Sequence, residues 1–377
     1  MSAPVTILSR PQAVRAHVQQ LQGSLALDTE FHAEARFQPE LMWIQLADCR
    51  GVCVVVDAQA EGATRALIEA IHNRDVIVHA GMHDFRLLSQ VTEVRPKSVF
   101  DTQIAAGLLG LRYPMSLSRL VERLLNQTLP PSEAMSDWSQ RPMASEQLAY
   151  ACADVAFLHP LRESLLARPQ RANLLPLEQC CQSILEEALR EQPEDELWKR
   201  FHAASTLDAH GREILRLACM ARRTLAREQN RGERQICSDS SLIDLAKRKP
   251  ESLEALNRPR NVPRKLRGSL GEVLVDCVKK ALLTPLDTCP QSLEPRPGEA
   301  ECRLLLEAWS EHCFRSLGLS PRLLLPASLR TEFAQSWAEG RHPRFRTEWR
   351  IRAAGERLEA LFSGHYRVGK TGLETPK

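Results

Sequence analysis

Two carboxylates two residues apart, Asp28 and Glu30, close the short apolar run LALDTE. Alternate side chains of an extended chain leave on the same face, so this pair projects together. Carboxylates held side by side repel one another and ionise at low cost only with a cation between them. D-x-E is also common wherever a strand simply ends in solvent. A second pair, Tyr150 and Asp154, stands four residues apart among Ala149, Ala151, Cys152 and Ala153. Positions i and i+4 of a helix share a face, and small neighbours let a helix lie close to a sheet. An exposed acid beside a packing tyrosine gives the same spacing. A third acid, Asp84, ends the run VIVHAGMHD, in which a strand passes through Gly81 into a helix. An acid in the first helical turn complements the helix dipole whatever else it does.

The elements that must position these groups follow from periodicity. Short apolar runs predict strands over 24–29, 41–47, 52–57, 76–79 and 99–101, with a turn at Gly51. Helical spacing covers 63–72, 81–90 and 102–125, and a Pro- and Ser-rich loop over 130–142 precedes a helix over 145–167. Strands first, then strand–helix alternation, imply an α/β domain whose sheet has antiparallel and parallel parts. From 177 onward the periodicity is helical, with breaks near 192–195, 229–235, 257–264 and 290–298, and no strand is expected. The proline-rich stretch 285–298 reads as a linker between two small helical bundles.

Composition bounds the function classes. With 377 residues, 43% of them hydrophobic and 26% charged, the chain suits two or three folded domains. No apolar run approaches the roughly 20 residues of a membrane span, and the N-terminus carries no apolar stretch of signal-peptide length. Eleven cysteines without a C-x-x-C point to reduced core thiols in a cytoplasmic protein rather than a disulfide or zinc framework. The net charge of +3 is unevenly spread. Residues 1–170 hold 15 Lys and Arg against 18 Asp and Glu, a net of −3, and residues 171–377 hold 35 against 29, a net of +6. An acidic front half suits cations, and a basic rear half suits phosphates.

Together the three acidic signals resemble the DEDDy 3′–5′ exonucleases. The surrounding stretches LALDTEF (25–31), PELMWIQLAD (39–48), VHAGMHDFRLL (78–88), FDTQIAAGLLG (100–110), SDW (136–138) and YACADVAFL (150–158) resemble ribonuclease D. AREQNRGERQICSDSSLIDLAKRKPESLEAL (226–256) resembles the HRDC module that follows in that family. The resemblance implies an α/β ribonuclease H-like exonuclease domain over 1–170 and a helical connector over 171–206. An all-α HRDC-like domain over 207–284, the linker, and a second, divergent HRDC-like domain over 299–377 would follow. It also implies two divalent metal ions, Mg²⁺ or Mn²⁺. Asp28 would bridge them, Glu30 and Asp154 would hold the ion on the side of the attacking water, and Asp84 would serve the other. Tyr150 would orient that water. Oxygen-only ligands suit such hard cations.

The sequence departs from the family pattern outside the acids. Ala33 and Ala35 stand where basic residues are expected, and Pro131 and Met135 precede SDW where Lys and a polar residue are usual. Arg36, His32 and His83 are candidates to compensate. Nucleic-acid contacts are expected from Arg222, Arg223, Arg227, Arg231, Arg234, Lys247, Arg248 and Lys249. Further clusters are Arg258, Arg260, Arg264, Lys265 and Arg267, and Arg341, Arg344, Arg346, Arg350 and Arg352 with Phe345 and Trp349 interleaved. The expected activity is exoribonuclease trimming of RNA 3′ ends, with tRNA precursors as partners, by a monomer releasing 5′-mononucleotides. The alternatives are a DNA-directed 3′–5′ exonuclease and a non-catalytic RNA-binding scaffold with a relic site.

Overall fold

The computed structural model describes residues 5–33, 35–190, 192–258, 268–291, 296–369 and 372–374. The chain divides into two compact units. One comprises Met1–His32, Glu40–Arg190 and Arg296–Lys377, the other Ala33–Pro39 and Glu191–Pro295.

The first unit is built on six strands: β1 (Thr6–Leu8), β2 (Leu25–His32), β3 (Glu40–Ala47), β4 (Cys53–Asp57), β5 (Asp75–Val78) and β6 (Ser98–Asp101). They lie in the order β1-β4-β3-β2-β5-β6. β2, β3 and β4 pair antiparallel, while β1 joins β4, β5 joins β2 and β6 joins β5 in parallel. The mixed sheet expected from the strand spacing is therefore present. Its helices are α1 (Pro11–Gln20), α2 (Ala63–Ile71), α3 (Met82–Ser89), α4 (Thr102–Leu108), α5 (Leu117–Leu125), α6 (Ser145–Ala156), α7 (Leu158–Leu166) and α8 (Leu177–Leu189). Leu25 and Leu27 of β2 join Ile44, Leu46, Val54 and Val56 in a core with the apolar faces of α1 and α2. By alternation Ala26, Asp28 and Glu30 occupy the opposite face.

Local signals explain where the sequence reading differs. β1 and α1 were not expected: β1 has three residues, and α1 buries only Val14 and Val18. The stretch 102–125 is two helices, because Gly110 takes a left-handed φ of 82° and Pro114 follows it. The stretch 145–167 is also two helices. Pro160 cannot donate a backbone hydrogen bond to Ala156, and the chain resets at Phe157.

The second unit holds two 3₁₀ segments, Glu194–Arg200 and His202–Thr206, then α9 (Ala209–Glu228), α10 (Glu233–Ile236), α11 (Asp239–Arg248), α12 (Leu253–Asn257) and α13 (Ser269–Leu283). Leu215, Cys219, Leu242, Leu274 and Val278 are among its core residues. Side-chain caps start three of its helices: Asp208 accepts from Gly211 N (2.8 Å), Ser238 from Ser241 N (3.1 Å) and Ser252 from Ala255 N (3.1 Å). The segment Ala33–Pro39 belongs here as well. Gly232 N donates to Ala35 O (2.9 Å), Gln38 N donates to Asn230 Oδ1 (3.0 Å), and the Arg227 guanidinium lies 5.6 Å from the Phe37 ring centroid. Ala35, where a basic residue was expected, has a φ of 63° and uses its carbonyl to hold this turn.

Residues 296–377 supply α14 (Glu299–Leu317), α15 (Pro321–Leu324), α16 (Ala327–Ala338) and α17 (Glu348–Phe362) to the first unit. Leu306, Trp309, Leu323 and Trp349 share one apolar core with Ala105, Leu108, Leu161 and Cys180. The approach to α4 is close: Ser320 N donates to Gly107 O (3.0 Å), and a Cβ on Gly107 would sit 2.7 Å from Leu323 Cδ1. A short antiparallel ribbon, β7 (Arg367–Gly369) with β8 (Gly372–Glu374), departs from the all-helical expectation for this half. Three-residue strands are too short to show alternation.

Candidate active site

Three elements bring the acids together. β2 carries Asp28 and Glu30, the first turn of α3 carries Asp84, and α6 carries Tyr150 and Asp154. Carboxylate oxygens of Asp28, Glu30 and Asp154 lie within 4.8 Å of one another. Asp84 is tied to the same strand, since Thr29 Oγ1 donates to its Oδ1. The Tyr150 hydroxyl bonds the Asp154 carboxylate. All five candidates from the sequence therefore meet in one place.

The electrostatics follow from that crowding. Burial, and then the charges of Asp84, Asp154 and Glu30, push Asp28 well above the usual carboxylate range. Burial, with Asp154 and Asp84 beside it, raises Glu30 to about 9. Burial raises Asp84 to about 6 against the lowering effect of the Thr29 hydroxyl, and raises Asp154 to about 6 against that of Tyr150. Burial and the charge of Asp154 also raise Tyr150 above its ordinary value. Among the described residues none of the four carboxylates is ion-paired to a Lys or Arg. Four uncompensated acids around an oxygen-only pocket are a poor arrangement for the bare protein and a good one for hard divalent cations. The residues present thus fit the metals that the sequence resemblance implies.

Two supports were not read as such from the sequence. Asp101 is buried at the end of β6 and accepts from Ala80 N (3.1 Å), Gly81 N (3.0 Å), Gln103 N (2.8 Å) and Ile104 N (3.2 Å). It caps α4 and fixes the turn that delivers Asp84. At that turn a Cβ on Gly81 would sit 2.6 Å from Val78 Cγ2, so no side chain fits. An acid followed by Thr-Gln at a strand end is a helix-cap signal that could have revealed this. The second support is the SDW segment. Gln147 Nε2 donates to Ser136 Oγ (2.9 Å) and Asp137 O (3.0 Å), while Trp43 Nε1 donates to Trp138 O (2.9 Å). Buried Trp138 places its ring 6.2 Å from that of Tyr150. Of the candidates to compensate for the altered loop, His32 lies 3.5 Å from Asp137, and His83 is exposed on α3.

The expected nucleic-acid contacts separate into kinds. Arg222 is a correction: it is fully buried and donates to Cys237 O (3.0 Å), Asp239 (2.7 Å) and Glu233 (3.2 Å). It is a strut inside the second unit. Arg223 and Arg227 face Glu194 at 3.6 and 2.5 Å, Arg234 faces Asp239 at 3.1 Å, Arg248 faces Asp244 at 2.8 Å, and Lys249 pairs with Asp208. Arg231 and Lys247 are exposed and make no ion pair among the described residues. In the last cluster Arg350, Phe345 and Trp349 are buried. Arg350 donates to Leu324 O (3.0 Å) and Glu187 Oε2 (2.7 Å), tying α17 to α8. Arg260, Arg264, Lys265 and Arg267 lie outside the described residues.

Known proteins resemble both parts of the chain. A family described as 3′–5′ exonuclease matches residues 4–168, and the HRDC domain matches 211–278. Ribonuclease D of Acidiphilium cryptum is 30% identical over 284 residues, 73% of this chain and 71% of that one. The chain belongs to the ribonuclease D family. It is a 3′–5′ exoribonuclease of that family. The ribonuclease D of Gluconacetobacter diazotrophicus is 29% identical over 94% of this chain and 91% of its own. Among solved structures, Escherichia coli RNase D, described as an exoribonuclease involved in structured RNA processing, matches with a TM-score of 0.83. At 23% identity it covers 96% of this chain and 100% of its own, and shows the same fold. No helix among the described residues is long and apolar enough to cross a membrane.

Proposed function

We propose that this ribonuclease D family member trims the 3′ ends of structured RNA, tRNA precursors in particular, and releases 5′-mononucleotides. It would do so as a cytoplasmic monomer through a two-metal site. The observation that carries this reading is the convergence of Asp28, Glu30, Asp84, Asp154 and Tyr150 on one pocket. Asp28, which feels the charges of the other three acids, would serve both ions. Glu30 and Asp154 would hold the ion beside Tyr150, and Asp84, steadied by Thr29, would serve the other. Two bound divalent ions would supply charge stabilisation for the incoming and departing oxygens of an in-line displacement. Tyr150, kept a phenol at neutral pH, orients the attacking water through its hydroxyl and shares a proton with Asp154 rather than acting as a bulk base.

The phosphate grip away from the pocket falls to exposed cations of the second unit, Arg231, Lys247 and the 84%-exposed side chain of Arg234. Residues 299–377 act as a divergent second HRDC-like module, and unpaired cysteines throughout the described chain suit a reducing compartment. One assay tests the core of this reading: a tRNA precursor, unstructured RNA and single-stranded DNA are compared with Mg²⁺, Mn²⁺ and EDTA. Mononucleotide release from the RNA 3′ end, abolished by EDTA, is expected. Equal turnover of single-stranded DNA, or turnover in EDTA, overturns it.

A further inference from the structure

Gln45, in the middle of β3, is fully buried, yet neither its Nε2 nor its Oε1 has a hydrogen-bond partner. An amide left unpaired in the interior is destabilising, so a buried glutamine without partners calls for an explanation. The sheet register supplies one. Gln45 pairs directly with Asp28 across the antiparallel β2–β3 ladder. Residues directly opposite point to the same face with Cβ atoms about 4.5–5.5 Å apart, within reach of a glutamine side chain. That face is the one covered by α6, which packs across β2, β3 and β4 and buries Ala151 and Val155 there. Both neighbours of Gln45 on its own face of the strand are apolar, Trp43 and Ala47, so β3 brings no other polar side chain to this point.

We propose that Gln45 is a positioning residue for Asp28. In the metal-loaded protein its amide N–H donates to the Asp28 carboxylate, holding it in the orientation that would serve both ions. Gln45 touches neither substrate nor reacting atoms; it acts through Asp28. This inference rests on the metal-site reading above.

The test uses the full-length protein, with Mn²⁺ as the probe. Gln45→Met keeps the length of the side chain and removes its polar atoms. Mn²⁺ affinity is measured by calorimetry, and the thermal midpoint is measured in EDTA. Residues that orient metal ligands are typically worth 10–100-fold in metal affinity. The expected result is an affinity loss in that range with a midpoint in EDTA that is unchanged or raised, because an unpaired amide has been removed. Unchanged Mn²⁺ affinity overturns the proposal. So does a loss of affinity that comes only with a lowered EDTA midpoint, which marks damaged packing. If Gln45→Met does not fold, Gln45→Asn keeps a buried amide but withdraws it by one methylene, and the same affinity loss is expected. Wild-type affinity in that variant overturns the proposal equally. A wild-type protein that binds no Mn²⁺, or an Asp28→Asn variant that binds it as wild type does, overturns the metal-site reading instead.

Discussion

Thr29 donates its hydroxyl to the carboxylate of Asp84, 55 residues further along the chain. The middle residue of D-T-E is thus not a spacer: its flanking acids enter the pocket directly, and it holds a third in place. Thr29→Val keeps the branched shape and removes the donor. Asp84 would then lose an interaction that favours its ionised form, and its pKa would rise further. Mn²⁺ affinity should fall by about 10–100-fold with the fold intact, read by calorimetry and circular dichroism.

Asp28→Asn should abolish turnover of a labelled RNA oligonucleotide while the protein stays folded. Asp28 is raised by burial and by three neighbouring acids, so removing its charge relieves repulsion. The thermal midpoint in EDTA should therefore match or exceed that of wild type. Hydrolysis at the wild-type rate would remove Asp28 from the mechanism.

Tyr150→Phe should retain metal and RNA binding and lower single-turnover kcat by about 10²–10⁴-fold, the usual worth of a proton-handling group. The ring packs near Trp138, so the phenyl group should preserve the fold. An unchanged kcat would make Tyr150 a packing residue only.

The metal-free protein should lose stability as pH rises through the neutral range. The folded chain holds protons on Asp84 and Asp154 up to about 6 and on Glu30 up to about 9. The unfolded chain releases them near pH 4. Between those limits the folded state binds more protons, so each raised acid contributes stability that is complete below about pH 4 and lost with rising pH. In EDTA, the wild-type midpoint minus that of Glu30→Gln should fall steadily from pH 5 to 9. Saturating Mn²⁺ should flatten that slope, because ionised carboxylates then have a counter-charge. A difference that does not change with pH would show that Glu30 ionises normally.

Arg222 and the pair Arg231 and Lys247 should separate stability from RNA binding. Arg222→Ala removes the buried guanidinium that ties Cys237 O, Asp239 and Glu233 together, and should lower the thermal midpoint. Arg231→Glu with Lys247→Glu should leave the midpoint near wild type and weaken tRNA binding. The slope of log K against log salt should drop by about 0.7–0.9 per lost phosphate contact. An unaltered salt slope would make both residues ordinary solvated surface.

The local placement of each acid was legible in the sequence because its signal is local, while their meeting in one pocket was implied by the family resemblance. Alternation in LALDTE puts Asp28 and Glu30 on one face, four-residue spacing puts Tyr150 over Asp154, and the run through Gly81 delivers Asp84 in a first helical turn. The strand and helix periods dictate these placements without reference to the rest of the chain. What tertiary structure alone decided depends on contacts between distant segments. Thr29 reaching Asp84, Gln45 opposite Asp28, and α14 to α17 sharing a core with α4, α7 and α8 are of this kind. So is the fate of the arginines. An arginine has a long apolar stem and a charged head, so the same residue type serves in solvent at Arg231 and as a buried strut at Arg222 and Arg350. Their spacing along a helix carries no record of which carboxylates and carbonyls the folded chain will set against each guanidinium.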